Sequence, residues 1–152
     1  MELILWRHAE AEDGADDATR ALTRRGHKQA RLMAEWLRPR IGRQWRVLSS
    51  PARRAVQTVD PLAMNVELRD RLDTSCGADD VLREAGWPDA KDDVLIVGHQ
   101  PTLGQVAARL LGGGAGDISM RKGAIWWFAT RERDGERETV LKAVVNPDLL
   151  ED

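Results

Sequence analysis

Four consecutive apolar residues, Leu3-Ile4-Leu5-Trp6, stop abruptly at Arg7-His8, and the pattern returns at Val94-Leu95-Ile96-Val97 ahead of Gly98-His99. Such short, unalternating runs fit strands buried on both faces of a parallel sheet. Trp45 to Ser49 and Val66 to Leu68 read as further strands. Between these runs the period changes. Ala30, Met33, Ala34 and Leu37 recur at helical spacing after Thr23, a good N-cap, and Pro39 closes the segment at about Arg38. Pro51 predicts the first turn of a second helix. Pro101 predicts that of a third reaching Leu111, with Leu103, Val106, Ala107, Leu110 and Leu111 as its apolar stripe and Gly112, Gly113 and Gly114 as its stop. Gly123 to Ala129 and Thr139 to Val145 flank Asp134-Gly135, a hairpin signal. The stretch 70–93, holding Asp70, Asp73, Asp79 and Asp80, has no clear period, and the residues from Pro147 on read as a loose tail.

Strands alternating with helices predict a three-layer α/β/α sandwich, and the closing hairpin makes its sheet mixed. At 152 residues the chain is expected to form one domain, 1–152, large enough for a core without disulfides or metal staples. Its 42% hydrophobic and 32% charged content is that of an ordinary soluble protein and argues against disorder. A net charge of -2 gives no global attraction for nucleic acid, and Trp126-Trp127 lack the interleaved basic residues of a single-strand stacking platform. No apolar run reaches membrane-spanning length and no leader pattern opens the chain, so a cytoplasmic protein without membrane contact is expected. The lone cysteine, Cys76, excludes an internal disulfide and reads as a bystander.

Both strand-end histidines fall where ligand crevices form in open parallel sheets. Arg7 offers a planar fork of donors that suits phosphate, and a neutral His8 can serve as nucleophile or proton carrier. An ordinary strand end with two exposed polar residues is the plainer alternative. Ser50-Pro51 ahead of Arg53-Arg54 would set the Ser50 hydroxyl and early backbone N–H groups near Arg54, a collection suited to an anion. Two solvated arginines on a surface helix would read the same way. The acidic segment after His8 is expected to be a solvated loop bordering the site, and His27 an exposed helix residue. The three histidines are scattered without metal-ligand spacing.

Arg7-His8 after a strand, Ser50-Pro51 followed by Arg54-Ala55 and Gln57-Thr58, and Gly98-His99 after another strand resemble, in the same order, the three signatures of the histidine phosphatase superfamily. Arg20-Ala21-Leu22-Thr23 with Gly26, Gly98-His99-Gln100-Pro101 and the small size are most similar to its SixA-type phosphohistidine phosphatases. The resemblance implies a phosphoglycerate mutase-like fold: a mixed, mostly parallel six-stranded sheet with the first strand beside the one ending at His99. It implies that His8 is the nucleophile, transiently phosphorylated, and that Arg7, Arg54 and His99 surround the phosphoryl oxygens, with Arg20 and Ser50 as further substrate-binding residues. Fixed cations in a partly dry pocket can position and stabilise three equatorial oxygens, so no metal or other cofactor is expected. In that role His99 is more useful protonated.

Two departures from the family pattern bear on substrate. Ala9 stands where a glycine is usual, which is tolerable only with a negative φ and room beside its β-carbon. No residue matches the general acid of larger relatives; Asp70, Asp73, Glu10 and Glu12 are candidates. An imidazole leaves more readily than an alkoxide, so a missing acid favours phosphohistidine on a protein, such as a histidine phosphotransfer domain, with phosphate as the product. A phosphatase of small phosphate esters and a non-catalytic phosphoprotein-binding module are the alternatives.

Overall fold

The computed structural model describes residues 1–113 and 116–151. Gly114, the last glycine of the expected helix stop, lies outside them. The strands are β1 (Glu2–Arg7), β2 (Arg46–Ser49), β3 (Val66–Leu68), β4 (Val94–Gly98), β5 (Ile125–Arg133) and β6 (Glu136–Val145). The α-helices are α1 (Arg24–Leu37), α2 (Arg53–Val59), α3 (Ala78–Ala85) and α4 (Thr102–Leu110). One six-stranded sheet runs in the order β3-β2-β4-β1-β5-β6. β3, β2, β4 and β1 pair in parallel, whereas β5 runs antiparallel to both β1 and β6. The sheet is therefore mixed and mostly parallel, as expected.

Alternation along the central strands builds the two outer layers. Ile4 and Trp6, with Val47, Leu95 and Val97, meet Met33, Ala34 and Leu37 of α1 and Ala55 and Val59 of α2. Leu3 and Leu5, with Leu48, Val94 and Ile96, meet Val81 and Ala85 of α3 and Leu103, Val106 and Ala107 of α4. β1 and β4 are buried on both faces, which is why they carry no polar alternation. Trp6 is fully buried, and its indole N–H donates to the Gly123 carbonyl at 3.1 Å, so its bulk enters the core without an orphaned donor. In the hairpin Trp127 faces the α1 side, while Trp126 is half-buried on the other and stacks with Phe128.

Thr23 caps α1, its hydroxyl accepting from the Gly26 N–H at 2.9 Å, and Ala30, Met33, Ala34 and Leu37 are buried as their spacing predicts. Asp134 and Gly135 both have positive φ, the backbone a tight hairpin turn needs. α2 begins later than Pro51 predicts, at Arg53. The Ser50 hydroxyl accepts from the Ala52 N–H, folding Ser50-Pro51 into a turn before the helix. α3 is absent from the sequence expectation. The expected loose tail is a correction as well: Pro147–Leu149 form a 3-10 turn, Pro147 is buried, and Leu150 packs against the α1-side core. Among the described residues no helix is long and apolar enough to cross a membrane.

Candidate active site

Register brings the two histidines together. Arg7 lies opposite Gly98 across the parallel β1–β4 pair, and the His8 N–H donates to the Gly98 carbonyl at 3.1 Å. His8 and His99 therefore leave the sheet side by side, with ring centroids 5.2 Å apart. Both are buried, at 9% and 4% exposure, so neither ring is free to be an ordinary solvated histidine.

The ring of His8 is oriented by its own chain. Nδ1 lies 2.8 Å from the Ala9 carbonyl oxygen, an atom that can only accept, so Nδ1 carries the proton and Nε2 keeps its lone pair. The turn that supplies this carbonyl is pinned from α2: the Ala9 N–H donates to the Thr58 hydroxyl at 2.9 Å, and that hydroxyl donates to the Arg54 carbonyl at 2.7 Å. Ala9 does not have a positive φ and is fully buried beside Leu22 and Ala30, so the missing glycine costs no backbone strain here. Close packing falls elsewhere. A β-carbon on Gly26 would stand 2.0 Å from the Glu10 carbonyl oxygen, so only glycine lets α1 approach the segment that carries His8.

Two arginines enclose the histidines. Arg7 ends β1 and donates from a terminal nitrogen to the Met120 carbonyl at 2.6 Å. Arg54, on the first turn of α2, is 3% exposed, so the reading of it as a solvated surface arginine fails. Its two terminal nitrogens are held by Asp17, one by the backbone carbonyl at 2.7 Å and the other by the carboxylate at 3.0 Å. The same carboxylate takes Arg20 at 3.0 Å, and Arg20 also donates to the Glu12 carbonyl at 2.7 Å. The two guanidinium partners, through the hydrogen bond from Arg20 first and that from Arg54 next, hold the Asp17 carboxyl below the usual carboxylate range. This corrects the expectation that the acidic loop is merely solvated. Asp17 anchors the deepest cation of the site, and no motif in the sequence marked it.

Burial and the surrounding positive charge make both histidines neutral. Desolvation, then the neighbouring His99, Arg54 and Arg7, lower His8 from 6.5 to about 3, against an opposing hydrogen bond to Ala9. His99 falls to about 4, again through desolvation first, with Arg54 and Arg7 lowering it and Asp17 and Asp73 raising it. The expected protonated His99 is thus not the form that these surroundings favour. Ser50 is fully buried; its hydroxyl lies 2.8 Å from Nε2 of His99, placing it behind that ring. Arg20 sits at the rim.

Among the described residues, the buried side-chain nitrogen or oxygen atoms without a hydrogen-bond partner are Nε of Arg7, Nε of Arg54 and Nδ1 of His99. Buried polar atoms are rarely left unpaired unless something binds them. All three belong to the residues grouped around His8. The candidate acids do not join them. Thr23 donates to the Glu10 carboxylate at 2.9 Å, while Glu12 and Asp70 are exposed. Asp73 is near enough to influence His99, but hydrogen bonds from the Ser75 hydroxyl and N–H hold its carboxyl low, the opposite of what a proton donor needs. No three His, Cys, Asp or Glu side chains among the described residues are grouped to hold a metal ion.

The carboxyl edge of this doubly wound α/β sheet gathers two buried histidines, the buried Arg54 and the half-buried Arg7, with three nitrogens left without a partner among the described residues, an arrangement chemically suited to an oxyanion. The family model of the histidine phosphatase superfamily (branch 1) matches residues 3–87, and the chain belongs to that superfamily. It is 33% identical over 123 residues to the phosphohistidine phosphatase SixA of Escherichia coli K12, covering 74% of this chain and 76% of that one. The structure of the protein histidine phosphatase SixA complexed with tungstate superposes with a TM-score of 0.77 at 28% identity, over 99% of this chain and 100% of that chain. A phosphoserine phosphatase mutant of Entamoeba histolytica, bound to phosphoserine, shares the fold at a TM-score of 0.71 and 17% identity, over 98% of each chain. The fold alone does not choose between these substrates.

Proposed function

We propose that this chain is a metal-independent phosphatase that removes the phosphoryl group from phosphohistidine on a protein, through a phosphorylated His8. The observation that carries the proposal is the trio of buried, unpaired nitrogens on Arg7, Arg54 and His99 around a histidine whose Nε2 lone pair is free. That a related SixA is complexed with tungstate, itself an oxyanion, supports oxyanion binding as the chemistry of this site. In the first step the Nε2 lone pair of His8 forms a bond to phosphorus as the phosphorus–nitrogen bond of the substrate breaks. The electron pair stays with the substrate imidazole, which takes a proton from solvent. Water then attacks phosphorus on His8, releasing phosphate, returning the electron pair to Nε2 and giving up a proton. Arg7, Arg54 and His99 donate to the equatorial oxygens throughout, most strongly where charge spreads over them in the transition state.

Among the described residues no free acid stands beside the site, which favours this substrate over an alkyl ester, because the depressed carboxyl of Asp73 is a weak candidate for protonating an alkoxide. The test is release of phosphate from a phosphohistidine protein and from a simple alkyl phosphate, side by side, with His8→Ala as control. Hydrolysis of phosphohistidine alone, abolished in His8→Ala, is the expected result. Comparable rates on both substrates would replace it with a small-molecule ester phosphatase, and no release from either would leave a phosphoprotein-binding module.

A further inference from the structure

We infer that Ser50 is a positioning residue that fixes the tautomer of His99, so that His99 meets the phosphoryl group as a neutral N–H donor from Nδ1 and not as a cation. The inference rests on the reading of this site as a phosphoryl pocket, but its geometry is independent of turnover. Ser50 is fully buried, so its hydroxyl proton needs a partner inside the protein. The oxygen already accepts from the Ala52 N–H at 3.2 Å, and the one acceptor recorded for its proton among the described residues is Nε2 of His99, at 2.8 Å. If the hydroxyl donates there, Nε2 is the unprotonated nitrogen of a neutral ring and Nδ1 bears the hydrogen. Nδ1 is the buried, unpaired atom of that ring. The opposite tautomer would orphan the Ser50 proton and also present a lone pair, in place of a donor, to a phosphoryl oxygen.

Protonating His99 would carry the same penalty, since both ring nitrogens would then donate and the buried hydroxyl would lose its acceptor. The charged groups around the ring do not reverse this. Arg54 from α2 and Arg7 from β1 oppose a second proton, Asp17 and Asp73 favour it, and the adjacent His8 is itself neutral. Ser50 thereby connects the turn before α2 to the end of β4, and acts on the substrate only through His99.

The test is nitrogen-15 NMR of histidine-labelled protein near neutral pH, with His99 assigned by its loss in His99→Gln. The expected spectrum has Nε2 of His99 unprotonated and Nδ1 protonated. A ring protonated on Nε2, alone or together with Nδ1, overturns the inference whether or not the protein hydrolyses phosphohistidine. Ser50→Ala should release the tautomer, with Nε2 gaining proton occupancy, and lower kcat about tenfold, the scale of one lost internal hydrogen bond. Ser50→Thr keeps the hydroxyl and should restore both the Nδ1–H signal and most of kcat. A Ser50→Ala protein that keeps the wild-type tautomer would overturn the inference, since a merely structural serine would change stability and leave the ring signals alone.

Discussion

Acidification should destabilise this protein through the two histidines of its candidate active site. His8 and His99 are held at about 3 and about 4 against an ordinary 6.5, so both are neutral in the fold at pH values where the unfolded chain protonates them. The unfolded state therefore binds more protons, and stability falls as the pH drops from 6.5 toward 4 for His99 and toward 3 for His8. Above 6.5 neither ring contributes any slope. Each depressed ring contributes up to about 1.4 kcal/mol per pH unit, so between pH 6.5 and 5 each removes roughly 1.5 kcal/mol and the pair about 3 kcal/mol. That is a large fraction of the roughly 5–15 kcal/mol typical of a domain. Urea unfolding of wild type, His8→Gln and His99→Gln at the two pH values isolates the effect, because other titrating groups cancel between the proteins. Each variant should lose roughly 1.5 kcal/mol less than wild type on acidification. An identical loss in all three would refute the assignment of neutral, desolvated rings.

The other expectations are local. Arg7→Ala and Arg54→Ala should each raise the barrier to phosphohistidine hydrolysis by about 2–4 kcal/mol, as removal of an oxyanion donor does, and unchanged kcat/KM in either would remove that arginine from the site. Gly26→Ala should lower stability by about 1–3 kcal/mol because its β-carbon would collide with the Glu10 backbone, read by thermal unfolding, and an unaltered melting temperature would show that the approach is not obligatory. Asp17→Asn should lower kcat/KM about tenfold by loosening Arg54 while changing stability by less than about 1 kcal/mol, since the Asp17 carboxylate is more than half exposed. Wild-type turnover in that variant would mean that Arg54 needs no carboxylate anchor.

The parts of this architecture that read from sequence are those written in apolar runs and short motifs. β1 and β4 announce themselves because burial on both faces demands unbroken hydrophobicity, and their ends place His8 and His99 with no further information. α3 was illegible because Asp79, Asp80, Arg83 and Glu84 fill its exposed side and only eight residues carry its pattern. Its ends were marked all the same, by the Asp80 carboxylate accepting the Gly77 N–H at 2.9 Å and by Gly86 in the left-handed region. The Asp17 clamp could not be read, because an aspartate among five neighbouring carboxylates looks the same whether it meets water or a guanidinium 37 residues away. Spacing shows that Ser50 precedes α2, whereas only three dimensions show that its hydroxyl lies 2.8 Å from Nε2 of His99. The ordered end from Pro147 escaped for a related reason, since a single buried proline and Leu150 carry no period.

The strand order also constrains when His8 reaches its place. β1 is made first, yet neither of its neighbours is near in sequence: Leu3 pairs with Val94 on one side and with Phe128 on the other. β2, the next strand along the chain, pairs with β4 and β3 and never with β1. During synthesis the segment bearing Arg7 and His8 must therefore wait, unpaired and apolar, until most of the polypeptide exists, and closing so long a loop makes assembly slow relative to local structure. The stretch matched by the family model, 3–87, contains β1 and His8 but neither strand that flanks β1. A chain stopped there would carry two of the three signatures and lack both strands that hold His8 in the sheet.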